Sequence, residues 1–228
     1  MRVALFIPCF VDQFFPQVGV AMVNVLRRLK IEPEFPADQT CCGQPAFNTG
    51  FWDEARPLAQ RYCEIFTGYD AVVSPSGSCT AMVRHFYPLL GVAPPATYEF
   101  TEFLVKHLGV TDVGAAFPAK VTYHDACHAL RELGLKDEPR QLLRHVRGLE
   151  LIEMAQAETC CGFGGTFAVK FPFISTAMAD LKVAKIRETG AEYVVSTDSS
   201  CLMQLDGYLR RQKIPIQTLH LAEVLAAQ

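Results

Sequence analysis

The sequence Thr-Cys-Cys-Gly occurs at Thr40–Gly43 and again at Thr159–Gly162, 119 residues later. Other landmarks recur at nearly the same distance. Cys9 follows the apolar run Val3–Ile7, and Cys127 follows Val121-Thr122-Tyr123-His124, an offset of 118. Cys79 closes Val72-Val73-Ser74-Pro75-Ser76-Gly77-Ser78, and Cys201 closes Val194-Val195-Ser196-Thr197-Asp198-Ser199-Ser200, an offset of 122. The segment Thr97–Leu104 is matched by Thr218–Leu225. A fixed internal period constrains the fold more than any local propensity does. It predicts a tandem duplication joined near Val113–Pro118, with one lobe over residues 1–115 and a similar lobe over 116–228. The two lobes should face each other across a pseudo-twofold axis.

Each half alternates short apolar runs with longer helical patterns. Val3–Ile7, Ala71–Ser74, Val121–Tyr123, Leu149–Glu153, Tyr193–Ser196 and Pro215–Leu219 read as buried strands. A further strand near Glu34–Phe35 is only weakly marked. Helices are expected over Val18–Lys30, Phe51–Phe66, Ala81–Leu90, Glu99–Leu108, Arg140–Val146, Phe173–Glu188 and Cys201–Gln212. Strand–helix alternation implies right-handed crossovers, hence an α/β fold of mainly parallel sheets with flanking helices.

Parallel sheets gather the carboxyl ends of their strands on one edge, where ligand sites form. Cysteines that follow strands should therefore converge: Cys9, Cys41, Cys42 and Cys79 in the first half, and Cys127, Cys160, Cys161 and Cys201 in the second. Four thiolates suit a soft metal centre. Zinc is one candidate, but it is usually held by compact Cys-x-x-Cys knuckles. Here 31 and 36 residues separate the ligands of the first half, and 32 and 39 those of the second. Adjacent cysteines reach two irons of a cluster more easily than one small ion, which favours iron–sulfur binding. Gly43, Gly162, Gly164 and Gly165 would let the backbone approach such a cofactor closely. Ser78 and Ser200 are candidate caps for helices beginning near Cys79 and Cys201.

The remaining composition narrows the classes. The 228 residues are 50% hydrophobic, with net charge −3. There is no Lys/Arg run, so nucleic acid is not an expected partner. No apolar stretch is long enough for a transmembrane segment. No leader with a cleavage site is evident, so a cytoplasmic location is expected, where thiols stay reduced. The cysteine count is nine, which is odd and argues against a complete disulfide framework. Cys63 has no repeat partner and reads as a core residue. His124 and His128 flank Cys127 and could serve as proton carriers or as hydrogen-bonded loop residues. His85, His107, His145 and His220 read as structural or solvated. No nicotinamide fingerprint is present around Gly162-Phe163-Gly164-Gly165. The stretch Lys182–Glu188 reads as a solvated helix face.

The segments Gln39-Thr40-Cys41-Cys42-Gly43-Gln44-Pro45-Ala46, Ser74-Pro75-Ser76-Gly77-Ser78-Cys79-Thr80, Gly148-Leu149-Glu150-Leu151 and Thr159-Cys160-Cys161-Gly162-Phe163-Gly164-Gly165-Thr166-Phe167 carry a resemblance. Over its full length the chain resembles the lactate utilization protein A family of cysteine-rich CCG-domain proteins. The resemblance implies an iron–sulfur electron-transfer subunit, without catalytic residues of its own, in a complex that oxidises L-lactate to pyruvate. It implies partner subunits, an electron acceptor, and one or two clusters per chain, of 4Fe–4S type, on the eight cysteines. Zinc holding a structural or assembly module is the alternative. More distantly, the chain resembles the CCG-domain subunit of heterodisulfide reductases and the iron–sulfur subunit of glycolate oxidase. In the first of these a non-cubane cluster uses a Cys-x-x-Cys motif. Ser76 and Asp198 stand where the first cysteine of that motif would be, leaving four thiolates per site. A cluster-based disulfide reductase is therefore the more distant alternative.

Overall fold

Short runs of valine, alanine and threonine dominate the strands, as expected where both faces of a sheet are covered. The computed structural model describes residues 1–228 and contains two all-parallel sheets. The first comprises β1 (Val3–Leu5), β2 (Ala71–Ser74) and β3 (Thr97–Glu99), in that spatial order. The second uses β4 (Lys120–Tyr123), β5 (Glu150–Leu151), β6 (Tyr193–Ser196) and β7 (Gln217–His220), in the order β5-β4-β6-β7. Equivalent strands keep equivalent registers: Leu5 lies opposite Val73 as Tyr123 lies opposite Val195. Ser74 lies opposite Glu99 as Ser196 lies opposite His220.

The first half's counterpart of β5 shrinks to a single parallel bridge between Ala4 and Glu34. Pro33 and Pro36 flank Glu34, and neither can donate to a ladder. β3 was not among the expected strands. Its three residues follow Pro94-Pro95 and are too few to show an alternating pattern. The helix expected from Glu99 begins at Phe100, with Glu99 as its cap. Short helices at Cys9–Phe14, Gln44–Asn48, Cys127–Arg131, Thr166–Lys170 and Leu221–Ala226 were also not anticipated. Each has only five or six residues, below the length at which a helical period can be read. None of the helices is long and apolar enough to cross a membrane.

Strand alternation assigns side chains to different cores. Val3, Leu5, Ala71, Val73, Val121, Tyr123 and Val195 enter one large core. Ala4, Phe6 and Val72 enter a second core under the helix Trp52–Phe66, and Val194 enters a third under Pro172–Glu188. The large core is common to both halves. The last helix, Leu221–Ala226, packs on Pro16–Arg28 of the first half, while Phe100–Glu102 packs on Asp137–Arg144 of the second. Val18, Met22, Val25, Leu26, Leu221, Val224 and Leu225 are almost fully buried there. Each such side chain contributes about 1.5–3 kcal/mol relative to exposure. Arg28 ties this layer to the chain end by donating to the carbonyls of Val113, Leu225 and Ala226.

Glu99 and His220 end matching strands and cap the helices that follow, yet they titrate in opposite senses. His220 Nδ1 accepts from the Ala222 amide, and its Nε2 lies 2.8 Å from the Pro75 carbonyl. Burial pushes its pKa down to about 4. Burial pushes the Glu99 carboxyl up to about 8, against the hydrogen bonds from Thr101 and Glu102. A raised carboxyl pKa gives stability that is complete below about pH 4.5 and is lost as pH rises through 8. The histidine acts only below 6.5, so Glu99 is seen apart from it between pH 6.5 and 8. Glu99→Gln should abolish a loss of up to about 2 kcal/mol across that window. Urea denaturation of both proteins at several pH values would check this. Parallel pH profiles would rule it out.

Candidate metal centre

Both sheets deliver their cysteines to one place. After β1 the chain crosses Phe6–Pro8 and enters a helix at Cys9; after β4 it crosses His124–Ala126 and enters a helix at Cys127. From β1 and β4 the chain pairs first on one side (Glu34; β5) and then on the other (β2; β6), which makes them the switch points at which open α/β sheets bind ligands. Cys79 and Cys201 lie in the first turns of helices that follow β2 and β6. The Cys-Cys-Gly turns approach from the loops. All eight cysteines line one cavity, of about 870 Å³ counting its open mouth, together with Ser76, Asp198, His128, Phe163, Gly164 and Gly165. Cys63 lies apart, half-buried, with its thiol 3.5 Å from the Ala93 carbonyl.

The sulfur contacts run in the same sequence on both sides. Cys41 interacts with Cys42 and Cys9, and Cys42 Sγ lies 3.3 Å from Cys79 Sγ. In the second half Cys160 interacts with Cys127 and Cys161, and Cys161 with Cys201. Gly43 and Gly162 adopt φ of +83° and +89°, which L residues rarely reach. This conformation turns each glycine amide back onto the first cysteine of its pair, at 3.4 Å from Cys41 Sγ and 3.4 Å from Cys160 Sγ.

These donors create one anionic sulfur per set. Thiols of Cys42 and Cys9, with the Gly43 amide, hold Cys41 well below the usual thiol range, at about 3. Cys127, Cys161 and the Gly162 amide bring Cys160 to about 2. Cys9 and Cys42 are raised as the donors to Cys41, and Cys127 and Cys161 as the donors to Cys160. In each set the first cysteine of the Cys-Cys pair is thus the sulfur most inclined to the thiolate form. A soft cation would displace the remaining protons.

The caps differ from the expected ones. Ser76, not Ser78, caps its helix, accepting from the Cys79 amide at 3.2 Å. Asp198, not Ser200, caps the other, accepting from the Ser200 amide at 3.2 Å. Both serines lie two residues too far along, inside the helix; the cap must precede the first helical residue. Asp198 also spans the two halves: its Oδ2 accepts from the Ser78 amide at 2.9 Å and from Ser76 Oγ at 3.3 Å. The helix Gly77–Ala81 and the helix Cys127–Arg131 of the second half meet so closely that a Cβ on Gly77 would lie 2.5 Å from Ala129 Cβ.

Beneath the second set the surroundings are polar. His124 is fully buried, and neither ring nitrogen has a hydrogen-bond partner. A ring nitrogen and the sulfurs of Cys161 and Cys201 all lie within 4.8 Å of one another. Burial, reinforced by the Lys182 charge, depresses the His124 pKa to about 3 and keeps the ring neutral. His128 Nδ1 lies 3.7 Å from Cys127 Sγ. His220, expected to be structural or solvated, is the buried structural kind.

Lys182 was expected on a solvated helix face and is instead 1% exposed. Its ammonium donates to the Gln156 and Ala157 carbonyls at 2.7 and 3.1 Å, fixing the loop that leads into Cys160. The charged neighbours Lys185 and Glu188 do pair at the surface, and this masks the inward position in the sequence. Arg140 fixes the other side, bonding Asp125 and Glu153 and lying over the Tyr123 ring.

The model of the cysteine-rich CCG domain matches twice, at residues 3–84 and 121–206. Lactate utilization protein A of an Exiguobacterium species is 47% identical, covering 98% of this chain and 96% of its own. Its namesake in Geobacillus kaustophilus is 45% identical over the whole of both chains. The chain belongs to the lactate utilization protein A family of cysteine-rich CCG-domain proteins. Among solved structures, a hypothetical protein from Helicobacter pylori is 9% identical, with a TM-score of 0.61 over 98% of this chain and 48% of that one. That likeness concerns the fold alone.

Proposed function

We propose that this chain is the iron–sulfur electron-transfer subunit of a complex that oxidises L-lactate to pyruvate. The observation that carries the proposal is the convergence of two like-ordered sets of four sulfurs on one cavity. Cys9, Cys41, Cys42 and Cys79 would hold one centre, and Cys127, Cys160, Cys161 and Cys201 the other. The donor set fits: each has four sulfurs, one already anionic, and a glycine amide aimed at that sulfur. Iron–sulfur clusters of the 4Fe–4S type, when bound, supply one-electron transfer.

The substrate reading rests on the relatives' name, lactate utilization protein A. Oxidising lactate to pyruvate releases two electrons, and two sets offer two acceptors. Gly43 and Gly162 would hold the Cys-Cys turns around the cofactor, and Gly164 would keep the loop beside it free of a side chain. Free thiols at all nine cysteines suit the reducing cytoplasm. Partner subunits suit the exposed apolar side chains of Phe51, Trp52, Phe171 and Phe173, which follow the cavity-lining segments of the two halves. Disulfide reduction on a non-cubane cluster is disfavoured, because Ser76 and Asp198 are engaged as helix caps where that chemistry would want cysteines.

Purification without oxygen, followed by iron, sulfide and zinc analysis and EPR with and without dithionite, tests the proposal. About four or more irons per chain with matching sulfide, and a signal that dithionite changes, are expected. Stoichiometric zinc without iron, after iron-replete expression, would replace the electron-transfer reading with a structural zinc module.

A further inference from the structure

The two cysteine sets are alike in their sulfurs and unlike in what lies behind them. Phe6 and His124 are equivalent residues: the Phe6 amide donates to the Val73 carbonyl and the His124 amide to the Val195 carbonyl, each at 2.9 Å. Phe6 packs edge-on against Tyr62, ring centres 4.9 Å apart, and against Phe66. In the second half the helix beneath the Cys-Cys turn puts Lys182 where Tyr62 stands. Gly43 abuts Ala55 and Leu58 as Gly162 abuts Ser175 and Met178, and the buried residue four positions past Leu58 and Met178 is Tyr62 on one helix and Lys182 on the other. An apolar aromatic floor has thus become an imidazole and an ammonium.

The ammonium is accounted for by two carbonyls. The imidazole is not. A buried polar group without a partner is destabilising, and His124 leaves both ring nitrogens without one. One ring nitrogen and the sulfurs of Cys161 and Cys201 lie within 4.8 Å of one another. An imidazole beside two cysteine sulfurs is a donor set for soft and borderline metals.

We propose that the second centre is a mixed nitrogen–sulfur centre, in which His124 ligates metal alongside Cys161 and Cys201, whereas the first centre is bound by sulfur alone. The inference rests on the reading that the cysteine sets hold metal. It makes the two centres chemically distinct despite their duplicated cysteines. Phe6 offers no donor atom, so the first centre lacks the means to copy the second.

The test uses full-length protein with histidine labelled in nitrogen-15, prepared anaerobically, reduced with dithionite and examined by pulsed EPR. A strong nitrogen coupling that changes on labelling is expected. It should persist in His128→Ala, whose ring also lies near this set, and vanish in His124→Phe, which copies the first half. Iron at the first set should survive in that variant. Labelled unaltered protein gives the primary answer, so a poorly folding variant leaves the test intact. Iron in both sets with only weak histidine coupling would overturn the proposal and leave the electron-transfer reading standing. So would a coupling that follows His128. Absence of iron from both sets would overturn the two together.

Discussion

Replacing Cys41 with alanine is expected to empty the first cysteine set and spare the second, so that iron and sulfide per chain fall to about half. Cys41 occupies the middle of its sulfur sequence, between Cys9 and Cys42, and it is the thiolate toward which neighbouring thiols and the Gly43 amide direct their hydrogens. Removing it takes away the sulfur whose thiolate form its neighbours favour most. The other three sulfurs are left without the central ligand between Cys9 and Cys42. Cys160→Ala should do the same to the second set, because Cys160 holds the same position between Cys127 and Cys161. The EPR signals of the two variants should be complementary and together reproduce the signal of the unaltered protein. Unchanged iron content in either variant would remove that cysteine from the ligand set. Loss of all iron in each would mean a single shared centre spanning the cavity.

Gly162→Ala is expected to destabilise the fold by about 3 kcal/mol, whereas the equivalent Gly43→Ala should lose only about 1 kcal/mol. Both glycines have positive φ, and that backbone strain is the common part. Space makes the difference. A Cβ at Gly162 would lie 2.6 Å from the Ser175 carbonyl oxygen and 2.9 Å from Met178 Cβ. At Gly43 the nearest atoms are 3.5 Å away, an ordinary contact. The helix Pro172–Glu188 therefore presses harder on its Cys-Cys turn than Trp52–Phe66 does. Thermal unfolding of metal-free protein separates the cases, with a midpoint lower by roughly 6–12 °C expected for Gly162→Ala. Equal shifts for the two variants would show that backbone strain alone governs both turns.

The candidate centre was legible because cysteine is scarce and its spacing repeats. Reading strands from valine-rich runs then carried every paired cysteine to one sheet edge. What escaped notice is information that short elements do not encode. β3 has three residues and only its pairing with β2 reveals it. Lys182 sits among charges that suit a surface, and its inward direction follows from helix phase relative to Ala179 and Ile186. The capping roles of Ser76 and Asp198 were hidden by more obvious serines two residues on. His124 was noticed as a neighbour of Cys127 along the chain. Its position behind Cys161 and Cys201 follows from strand alternation, which directs it away from the face that Tyr123 shares with the large core.

The helices that dock reciprocally across the middle of the molecule also bear on how its two copies can change. Residues such as Met22, Val25, Leu221 and Val224 fill a space to which both copies contribute, so a change in one is felt by the other. The outer cores beneath Trp52–Phe66 and Pro172–Glu188 belong to one copy each. Inheritance is thus coupled along the centre and independent at the periphery. The exchange of Phe6 for His124 and of Tyr62 for Lys182 lies in the independent part. A duplicated chain built this way can specialise one of its two cysteine sets while the shared layer keeps both copies in the same architecture.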